Sequence, residues 1–267
     1  MTSDRFPAVV TAAGAGIRFR PFTSVVPKEM LPVGPVPAIE HVIRECLSAG
    51  ATDVITVTRP DDDIVPGYVA RLQQEGLPVI AVPEDLGHGY GNAAPLLTVR
   101  DQLSGCHAFA VAFGDDVLLG EPPAGFDIAT MRAQLLPGID GVVAGQRIDP
   151  SRARSFGIID THPDDSGRVI GIRQRPEPST VTDPLAVVSR LVLRPAILDL
   201  LKPSDRAGGE VDLGIAVGEL AAHGHVSVHP ITRYWVTVGD PLHYRDAIQT
   251  YWNTVQHHQP PANPENQ

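Results

Sequence analysis

The chain has 267 residues, of which 43% are hydrophobic and 19% are charged, and this composition describes a globular protein with enough apolar material for a core. Its formal net charge of −10 argues against non-specific nucleic-acid binding, because such binding needs a basic face. No apolar run reaches the length of a transmembrane helix and the N-terminus lacks a signal-peptide pattern, so we expect a cytoplasmic protein that makes no membrane contact.

The first predicted element is a buried strand at residues 8–12, which leads into a glycine turn and then into a loop that carries cations. The backbone amides of Gly14 and Gly16 can face an anion there, because glycine puts no side chain in the way. Arg18, Arg20 and Lys28 follow in the loop. The pattern predicts a triphosphate site, and the alternative is a tight turn followed by surface cations.

Two other phosphate-binding loops fit this segment poorly. A dinucleotide-binding fingerprint needs a third glycine where the chain has Phe19, and a helix that starts directly after the turn. Pro21, Pro27 and Pro32 exclude a long helix there, because proline lacks a backbone donor and clashes with the preceding turn. A Walker-type loop needs Gly-Lys-Ser/Thr, which the segment lacks. This argues against a nicotinamide-dependent oxidoreductase.

Strand and helix patterns alternate through the rest of the first half. The predicted strands are residues 54–58, 79–82 and 108–113, and the predicted helices are residues 39–47, 64–72 and 92–100. This alternation predicts an α/β fold with a mostly parallel sheet and helices on both faces. In such sheets ligands bind beyond the carboxyl ends of the strands, where the glycine loop, residues 84–92 and residues 114–116 all fall.

The second half predicts strands with short connections. These are residues 142–148, 157–160, 169–174, 186–193, 226–231 and 234–238, together with helices at residues 196–201, 213–222 and 243–255. We expect this part to cover the open edge of the sheet. Residues 1–256 are thus predicted to form one domain, with a nucleotide-binding half to about residue 140 and a second half from about residue 141. The tail, residues 257–267, is polar and proline-rich, so we expect disorder there.

The cation-bearing loop carries two motifs that resemble a known family. Residues 14–21, Gly-Ala-Gly-Ile-Arg-Phe-Arg-Pro, and residues 27–32, Pro-Lys-Glu-Met-Leu-Pro, resemble sugar-1-phosphate nucleotidyltransferases, most closely the bacterial UTP–glucose-1-phosphate uridylyltransferase branch. The similarity runs with gaps from about residue 8 to about residue 251. It implies a Rossmann-like, mixed and mostly parallel sheet flanked by helices, of the nucleotide-diphospho-sugar transferase type, with a smaller β-rich sugar-binding part. It also implies that a nucleoside triphosphate and a sugar 1-phosphate react to give an NDP-sugar and pyrophosphate.

The resemblance assigns the triphosphate site to residues of the glycine loop, namely Ala13, Gly14, Gly16 and Arg18. Arg18 and Lys28 are its expected catalytic residues, and Lys28 matches the family's phosphate-contacting lysine. Asp115 is the expected ligand of Mg²⁺, because a carboxylate beside a bound triphosphate suits this hard cation.

Three residues depart from the family pattern around this site. Thr237 stands where the family has a second metal-binding aspartate, and a hydroxyl is a poor replacement for a carboxylate. Ile17 and Ser24 stand where the family usually has threonine and, in this branch, lysine. These departures support an alternative, in which a catalytically impaired homologue binds a nucleotide or a nucleotide sugar as a sensor or partner subunit.

The base is expected to meet Glu84, Gly91 and Asn92, in a loop that resembles the family's base-reading loop. Glu84 replaces a glutamine that reads the pyrimidine edge. An ionised carboxylate can accept from N3–H of uracil or thymine but has no donor for O4, whereas it can accept from both N1–H and the amine of guanine. UTP is expected by resemblance, and GTP and dTTP stay open. A further alternative is that Glu84 faces solvent.

The sugar phosphate is expected to lie on residues of the second half: Gly157, Gln174, Arg175 and Glu210. Residues 174–176, Gln-Arg-Pro, stand where the family has Glu-Lys-Pro, so Arg175 keeps the positive charge while Gln174 loses the negative one. Pro184 replaces an asparagine of the sugar pocket. We therefore expect a non-standard sugar. Relatives of this group are often homo-oligomers, which leaves the oligomeric state of this chain open.

Overall fold

Within residues 5–204, 209–223 and 225–256, which the computed structural model describes, both halves of the chain contribute to one nine-stranded sheet. The strands of the protein are β1 (Pro7–Ala12), β2 (Pro32–Val33), β3 (Val36–Pro37), β4 (Asp53–Thr58), β5 (Val79–Pro83), β6 (Phe109–Phe113), β7 (Asp116–Leu119), β8 (Gly141–Arg147), β9 (Gly157–His162), β10 (Asp165–Gln174), β11 (Leu185–Leu193), β12 (Val226–Pro230) and β13 (Tyr234–Thr237). The predicted disordered tail, residues 257–267, lies outside the described residues.

The helices lie between these strands in the chain. They are α1 (Ala38–Ser48), α2 (Ile64–Gln74), α3 (Ala94–Thr98), α4 (Arg100–Leu103), α5 (Phe126–Ala133), α6 (Leu213–His223) and α7 (Pro241–Gln256). Among the described residues, no helix is long and apolar enough to cross a membrane.

The nine strands lie in the order β5-β4-β1-β6-β11-β8-β12-β10-β9. The first four of these, all from the first half of the chain, are parallel to one another. The strands of the second half pair in antiparallel fashion, except that β12 runs parallel to β8. Because β11 hydrogen bonds directly to β6, the second half extends the open edge of the parallel sheet. The predicted mixed α/β fold is confirmed.

Hydrophobic side chains cover both faces of the parallel strands β1, β4 and β6. In β1, Ala8, Val10 and Ala12 belong to one core cluster with residues of α1, α2 and α5, whereas Val9 belongs to a second cluster with residues of α3, α4 and α6. This alternation follows from the period of two along a strand. A strand buried on both faces reads as a continuous apolar run, which is why residues 8–12 could be predicted from the sequence.

Two predicted helices differ from the structure. Residues 92–100 were expected to form one helix, but the chain forms the short helices α3 and α4, with Val99 between them outside helical geometry. Val99 is fully buried in the second cluster, and this packing overrides the helical pattern. Residues 196–201 were expected to form an α-helix, but Pro195–Asp199 is a 3-10 helix. Pro203 follows too closely for a longer helix to continue.

The sequence prediction lacks β7 and α5. The four-residue strand β7 pairs with β13, which places Asp116 opposite Thr237. A four-residue strand is too short to show a periodic pattern, and its partner β13 lies far away in the sequence. The β7–β13 ribbon packs with α7 around a third apolar cluster that contains Val117, Val238 and Ala247. This cluster fixes the start of α7 close to the carboxyl edge of the parallel strands.

Candidate active site

A cavity of about 220 Å³ lies where the β6–β7 turn meets β10, β11, β13 and the starts of α6 and α7. Six of the predicted site residues line it: Arg18, Asn92, Asp115, Gly157, Gln174 and Arg175. The other predicted site residues, which do not line it, are Ala13, Gly14, Gly16, Lys28, Glu84, Gly91 and Glu210. The cavity therefore brings together residues that the sequence assigned to both halves.

The glycine loop folds onto its own continuation. Gly16 has a φ of 60°, which favours glycine, and a Cβ at this position would lie only 2.8 Å from Thr23 Cγ2. Thr23 Oγ1 donates to the carbonyl of Gly16 at 2.8 Å. A Cβ on Gly14 would lie 3.3 Å from Lys28 Cε, so the Lys28 side chain passes directly over this glycine. The loop thus holds Lys28 in place.

Lys28 joins the glycine loop to the carboxylate at the end of β6. Its Nζ lies 2.5 Å from Asp115 Oδ2 and 2.8 Å from Glu29 Oε1, and its side chain is only 12% exposed. Burial alone lowers the pKa of Lys28, but the neighbouring carboxylates of Asp115 and Glu29 outweigh it and the pKa is raised. Lys28 therefore stays charged, although it lies behind the cavity wall.

Gly239 is the point around which three side chains of the cavity meet. A Cβ on this residue would lie 3.2 Å from Thr237 Oγ1, 3.4 Å from Arg18 Nη2 and 3.5 Å from Asp115 Oδ2. The Gly239 amide donates to Thr237 Oγ1 at 3.1 Å. The structure therefore brings Thr237 close to Asp115, even though these residues come from different halves of the chain.

Asp115 is one of the carboxylates that line the cavity. Its neighbour Asp116 is buried and accepts a hydrogen bond from Ser189, with Thr237 as a second partner. Burial raises the pKa of Asp116 and the charge of Asp115 adds to this rise, so the side chain is held as part of the protein interior. The described residues contain no group of three or more His, Cys, Asp or Glu side chains that could hold a metal ion by themselves. One carboxylate suits Mg²⁺, because this cation takes its other ligands from phosphates and water.

A histidine–aspartate pair lines the cavity beside Gly239, and the sequence prediction did not include it. Asp240 caps α7, since its Oδ1 accepts from the amides of Leu242 and His243, both at 3.1 Å. Its Oδ2 lies 2.5 Å from His243 Nδ1. Burial alone raises the pKa of Asp240, but the hydrogen bonds from His243 outweigh it and lower the pKa. An aspartate directly before an apolar helical pattern is the capping signal that could have identified this pair.

The two ends of the cavity have different chemistry. The charged end consists of Arg18, Asp115, Thr237, Asp240 and His243. The apolar end includes Phe156, Ile172, Leu213 and Trp235, with the polar Gln174 and the cationic Arg175 beside them. At the apolar end the rings of Phe156 and Trp235 pack with their centroids 4.8 Å apart. Trp235 is a cavity residue that no motif in the sequence signalled.

Arg175 adds a cation to the cavity at the end of β10. Its φ of 50° is in the left-handed region, a strained conformation for a residue with a side chain. Its amide donates to the carbonyl of Phe156 at 3.0 Å, which holds the backbone in this conformation. Strain of this kind occurs most often at functional sites. The guanidinium has no hydrogen-bond or ion-pair partner within the described part of the chain.

The predicted base loop packs against the segment that precedes α6. A Cβ on Gly91 would lie 2.3 Å from the carbonyl oxygen of Val211 and 2.9 Å from Glu210 Cγ, so this contact requires glycine. Asn92 Oδ1 accepts from the amide of Leu213 at 2.7 Å. Glu210 therefore lies beside the loop rather than on the cavity wall.

Glu84 is placed at the carboxyl end of β5, next to the loop but off the wall of the cavity. Its amide donates to the carbonyl of Thr58 at 2.8 Å, which fixes its backbone to the neighbouring strand. Its side chain is half-buried, and this burial raises the pKa of the carboxyl group.

Comparison with known proteins gives a family and a set of relatives. The profile of the nucleotidyl transferase family matches residues 7–254. The UTP–glucose-1-phosphate uridylyltransferase YngB of Bacillus subtilis is 28% identical over 266 residues, which cover 88% of this chain and 85% of that protein. The UTP–glucose-1-phosphate uridylyltransferase of Staphylococcus haemolyticus is 30% identical over 235 residues, which cover 79% of each chain.

Solved structures show the same fold. A UDP-glucose pyrophosphorylase in complex with UDP-glucose matches with a TM-score of 0.81 at 22% identity, over 93% of this chain and 99% of that one. A UTP-bound enzyme of the same kind from Acinetobacter baumannii matches with a TM-score of 0.77 at 23% identity, over 92% of this chain and 93% of that one. The resemblance read from the glycine loop is therefore confirmed over nearly the whole chain.

Proposed function

The chain belongs to the nucleotidyl transferase family, and on that premise we propose that it joins UTP and a sugar 1-phosphate to give a UDP-sugar and pyrophosphate. The matching relatives are named as UTP–glucose-1-phosphate uridylyltransferases, which supports this reaction. The alternative of a catalytically impaired sensor or partner subunit is not favoured, because those relatives are enzymes and the chain keeps Lys28, Asp115 and Arg175.

The observation that carries the proposal is the distribution of cations around one cavity. Arg18 comes from the first half of the chain and Arg175 from the second, and both line the cavity. Neither guanidinium has an ion-pair partner among the residues that the structure describes. Two phosphorylated substrates need two such groups, because each brings negative charge into the same space.

The proposed reaction is an in-line displacement at phosphorus. An oxygen of the sugar 1-phosphate attacks the α-phosphorus, the bond from that phosphorus to the bridging oxygen breaks, and pyrophosphate leaves with the bond electrons. Catalysis of this kind depends mainly on positioning and on neutralising charge. Arg175 is proposed to bind the sugar phosphate, and Arg18 and Lys28 to neutralise charge that develops on the transferred and leaving groups. The Gly14 and Gly16 amides and Ala13 are proposed to line the triphosphate.

Members of this family generally use a divalent metal, and we propose Mg²⁺ here with Asp115 as its protein ligand. When bound, Mg²⁺ would neutralise phosphate charge and orient the triphosphate. Lys28 Nζ lies 2.5 Å from Asp115 Oδ2, so the carboxylate that pairs with this lysine is also the one that would hold the metal. Chelation by EDTA is expected to abolish turnover, and excess Mg²⁺ is expected to restore it.

The base is proposed to be uracil, with guanine as a second candidate because of Glu84. A protonated carboxyl can accept from N3–H and donate to O4 of uracil, and burial raises the pKa of Glu84 in that direction. An ionised carboxylate suits guanine instead. Replacing Glu84 by glutamine supplies a permanent donor and acceptor, so Glu84→Gln is expected to retain UTP use and to lose any use of GTP. Gly91 and Asn92 are proposed to shape this loop against the start of α6.

The sugar is proposed to be other than glucose. Pro184 and Gln174 both depart from the family pattern, and the apolar end of the cavity presents Phe156 and Trp235. Gly157 and Glu210 are proposed to support this part of the site. The test is to measure pyrophosphate release for UTP, dTTP, GTP and ATP, each with a panel of sugar 1-phosphates that includes glucose, galactose, N-acetylglucosamine and deoxy sugars. Absence of pyrophosphate with every pair would refute the proposal.

A matched pair of variants tests the role of Arg175. Arg175→Ala is expected to raise KM for the sugar 1-phosphate by about tenfold or more, since a hydrogen bond to a charged group is lost. Arg173→Ala is the control, because Arg173 lies on the same strand but pairs with Asp160 at 2.7 and 2.8 Å and does not line the cavity. Equal effects of the two changes would contradict a role for Arg175 in the site.

A further inference from the structure

The side chain of Gln174 is held by an aspartate at the start of α6. Gln174 Nε2 donates to Asp212 Oδ1 at 3.0 Å. The same oxygen accepts from the amide of Ile215 at 3.0 Å, so Asp212 also caps the helix. The orientation of Asp212 is therefore fixed by the backbone of α6, and through it the position of the Gln174 amide is fixed as well.

Gly157 and Gly214 have no side chain, and this provides the space in which the Gln174 amide lies. A Cβ on Gly214 would lie 1.9 Å from Gln174 Nε2, which no real side chain allows. A Cβ on Gly157 would lie 3.3 Å from both Nε2 and Oε1 of Gln174. Both glycines line the cavity together with Gln174. The side chain thus passes between two backbone segments and has little freedom to take another rotamer.

The carboxylate of Asp212 determines whether the nitrogen or the oxygen of the Gln174 amide faces it. An ionised carboxylate only accepts hydrogen bonds, whereas an amide has donors on nitrogen and an acceptor on oxygen. The nitrogen of Gln174 must therefore face Asp212. Oε1 is then the atom that Gln174 can present to the cavity, where it can accept a hydrogen bond but cannot donate one.

We propose that Asp212 is a positioning residue, which holds Gln174 so that its Oε1 accepts a hydrogen bond from a hydroxyl group of the sugar 1-phosphate. This inference rests on the proposed function, because it describes how the same cavity reads its sugar. Ile172 and Leu213 lie on the wall beside Gln174, and their apolar side chains strengthen such a hydrogen bond by excluding water. The substrate class is thus a sugar phosphate with a hydroxyl donor at this point of the ring.

The first test removes the acceptor while it keeps the helix cap. Asp212→Asn is isosteric, and asparagine caps helices about as well as aspartate. The new amide can donate as well as accept, so Gln174 is no longer held in one orientation. KM for the sugar 1-phosphate is expected to rise about tenfold, and KM for UTP is expected to stay within about twofold. Glu219→Gln, which removes one charge from a half-buried position of the same helix that pairs with Lys202, is the control.

The second test restores the pair with its polarity reversed. Gln174→Glu alone brings two carboxylates together and is expected to weaken sugar binding about tenfold or more. In the double variant Gln174→Glu/Asp212→Asn, the asparagine donates to one oxygen of the glutamate and the other oxygen remains an acceptor for the sugar. We expect KM for the sugar 1-phosphate to return to within about threefold of the original value. A merely structural role of Asp212 gives no such rescue.

The outcomes separate this inference from the proposed function. The role of Asp212 is refuted, and the proposed function is not, in either of two cases in which the unmodified protein is active. In the first, KM for the sugar 1-phosphate is no lower in the double variant than in the single variants. In the second, KM for UTP changes as much as KM for the sugar 1-phosphate. If no substrate pair gives pyrophosphate, the proposed function fails. Calorimetric titration of each variant with every sugar 1-phosphate of the same panel then decides on Asp212, since weaker binding with rescue in the double variant supports its role, and equal binding or no binding overturns it.

Discussion

The charged end and the apolar end of the cavity hold their side chains in different ways. At the charged end, Lys28 Nζ forms one ion pair with Asp115 Oδ2 at 2.5 Å and another with Glu29 Oε1 at 2.8 Å. At the apolar end, Phe156 and Trp235 are held by packing, and the polar side chain of Gln174 is held by a hydrogen bond to Asp212. At the charged end opposite charges hold one another, whereas at the apolar end ring packing and one hydrogen bond to Asp212 hold the side chains.

Both ends depart from the family pattern in places, with Thr237 at the charged end and Gln174 at the apolar end, but they are expected to respond differently to substitution. Removing one member of a buried ion pair leaves an uncompensated charge, which is strongly destabilising. Exchanging neutral side chains that touch a sugar costs less, and such changes redirect specificity without altering the reaction. The comparison therefore predicts large effects on turnover at the charged end and moderate, substrate-specific effects at the apolar end.

The largest effect is expected from Lys28→Met. This change removes the cation proposed to act on the phosphates, and it leaves Asp115 and Glu29 without their partner. Turnover is expected to fall about 10²–10³-fold, as it does when one group that stabilises a transition state is lost. Lys202→Met is a matched control, because Lys202 is the only other lysine of the chain and its side chain is 66% exposed. A fall in kcat of less than about tenfold would remove Lys28 from the mechanism.

A smaller and more selective effect is expected from Gly214→Ala at the apolar end. The new Cβ would lie 1.9 Å from Gln174 Nε2, so the glutamine has to leave Asp212. KM for the sugar 1-phosphate is expected to rise about tenfold while KM for UTP is unchanged. Gly218→Ala in the same helix is the control, since a Cβ there meets only the Ile172 amide nitrogen, at 3.5 Å. If both variants behave alike, the alanine acts through the helix and not through Gln174.

A several-fold effect is expected from Thr237→Asp, which adds a second carboxylate beside Asp115. Mg²⁺ is held by one or two carboxylates in proteins, so the concentration of Mg²⁺ needed for half-maximal turnover is expected to fall several-fold. Without metal, repulsion from Asp115 and buried Asp116 is expected to lower Tm, and Mg²⁺ is expected to recover it. Thr237→Asn has the same shape without the charge. An unchanged Mg²⁺ requirement in Thr237→Asp would mean that residue 237 lies too far from the bound metal to reach it.

The smallest effect is expected far from both ends, at the ion pair between Arg5 Nη2 and Asp53 Oδ2, 2.6 Å apart. Burial alone raises the pKa of Asp53, but the hydrogen bonds from Arg5 and Thr52 outweigh it and lower the pKa. The stabilisation is therefore complete above about pH 4, the ordinary pKa of an aspartate, and is lost as pH falls through the lowered value.

Asp53→Asn is accordingly expected to lower the free energy of unfolding by less than about 1 kcal/mol at pH 7, because both side chains are about one-third exposed. The difference from the unmodified protein is expected to disappear as pH falls through the lowered pKa of Asp53, and both KM values are expected to stay the same. Denaturant unfolding at several pH values measures this. A change in either KM would show that the cavity is coupled to the far end of β4.

The parallel half of the fold could be predicted because its signals are local. The strands β1, β4 and β6 are buried on both faces, and their apolar runs are visible in a short window of sequence. The pairing of β7 with β13 could not be predicted in this way, because Asp116 and Thr237 are neighbours only in space. The α-helix expected at residues 196–201 was wrong for a different reason. Pro195 and Pro203 flank this segment, and the chain forms only a short 3-10 helix there.

The candidate site shows the same contrast between residues that are close in the sequence and residues that meet only in the folded structure. Gly14, Arg18 and Lys28 belong to one loop and fall in two motifs that lie close together in the sequence, so the sequence alone could group them. Asp212 and Gln174 lie on separate elements, and nothing in their local sequence indicates that the start of α6 meets the end of β10. The contact between Gly91 and Val211 is likewise tertiary, so the sequence favoured the base as the reason for that glycine.

The hydrogen bonding of β11 to β6 has a consequence for how substrates enter. Because this strand joins the two halves through backbone bonds, neither half can swing away as a rigid body without breaking the sheet. Opening and closing must therefore come from the glycine loop and the loop around Gly91, which lie at the sheet's edge. A cut near residue 140 would also leave β6 with an unpaired edge, and such an isolated first half is expected to aggregate rather than to persist as a working fragment.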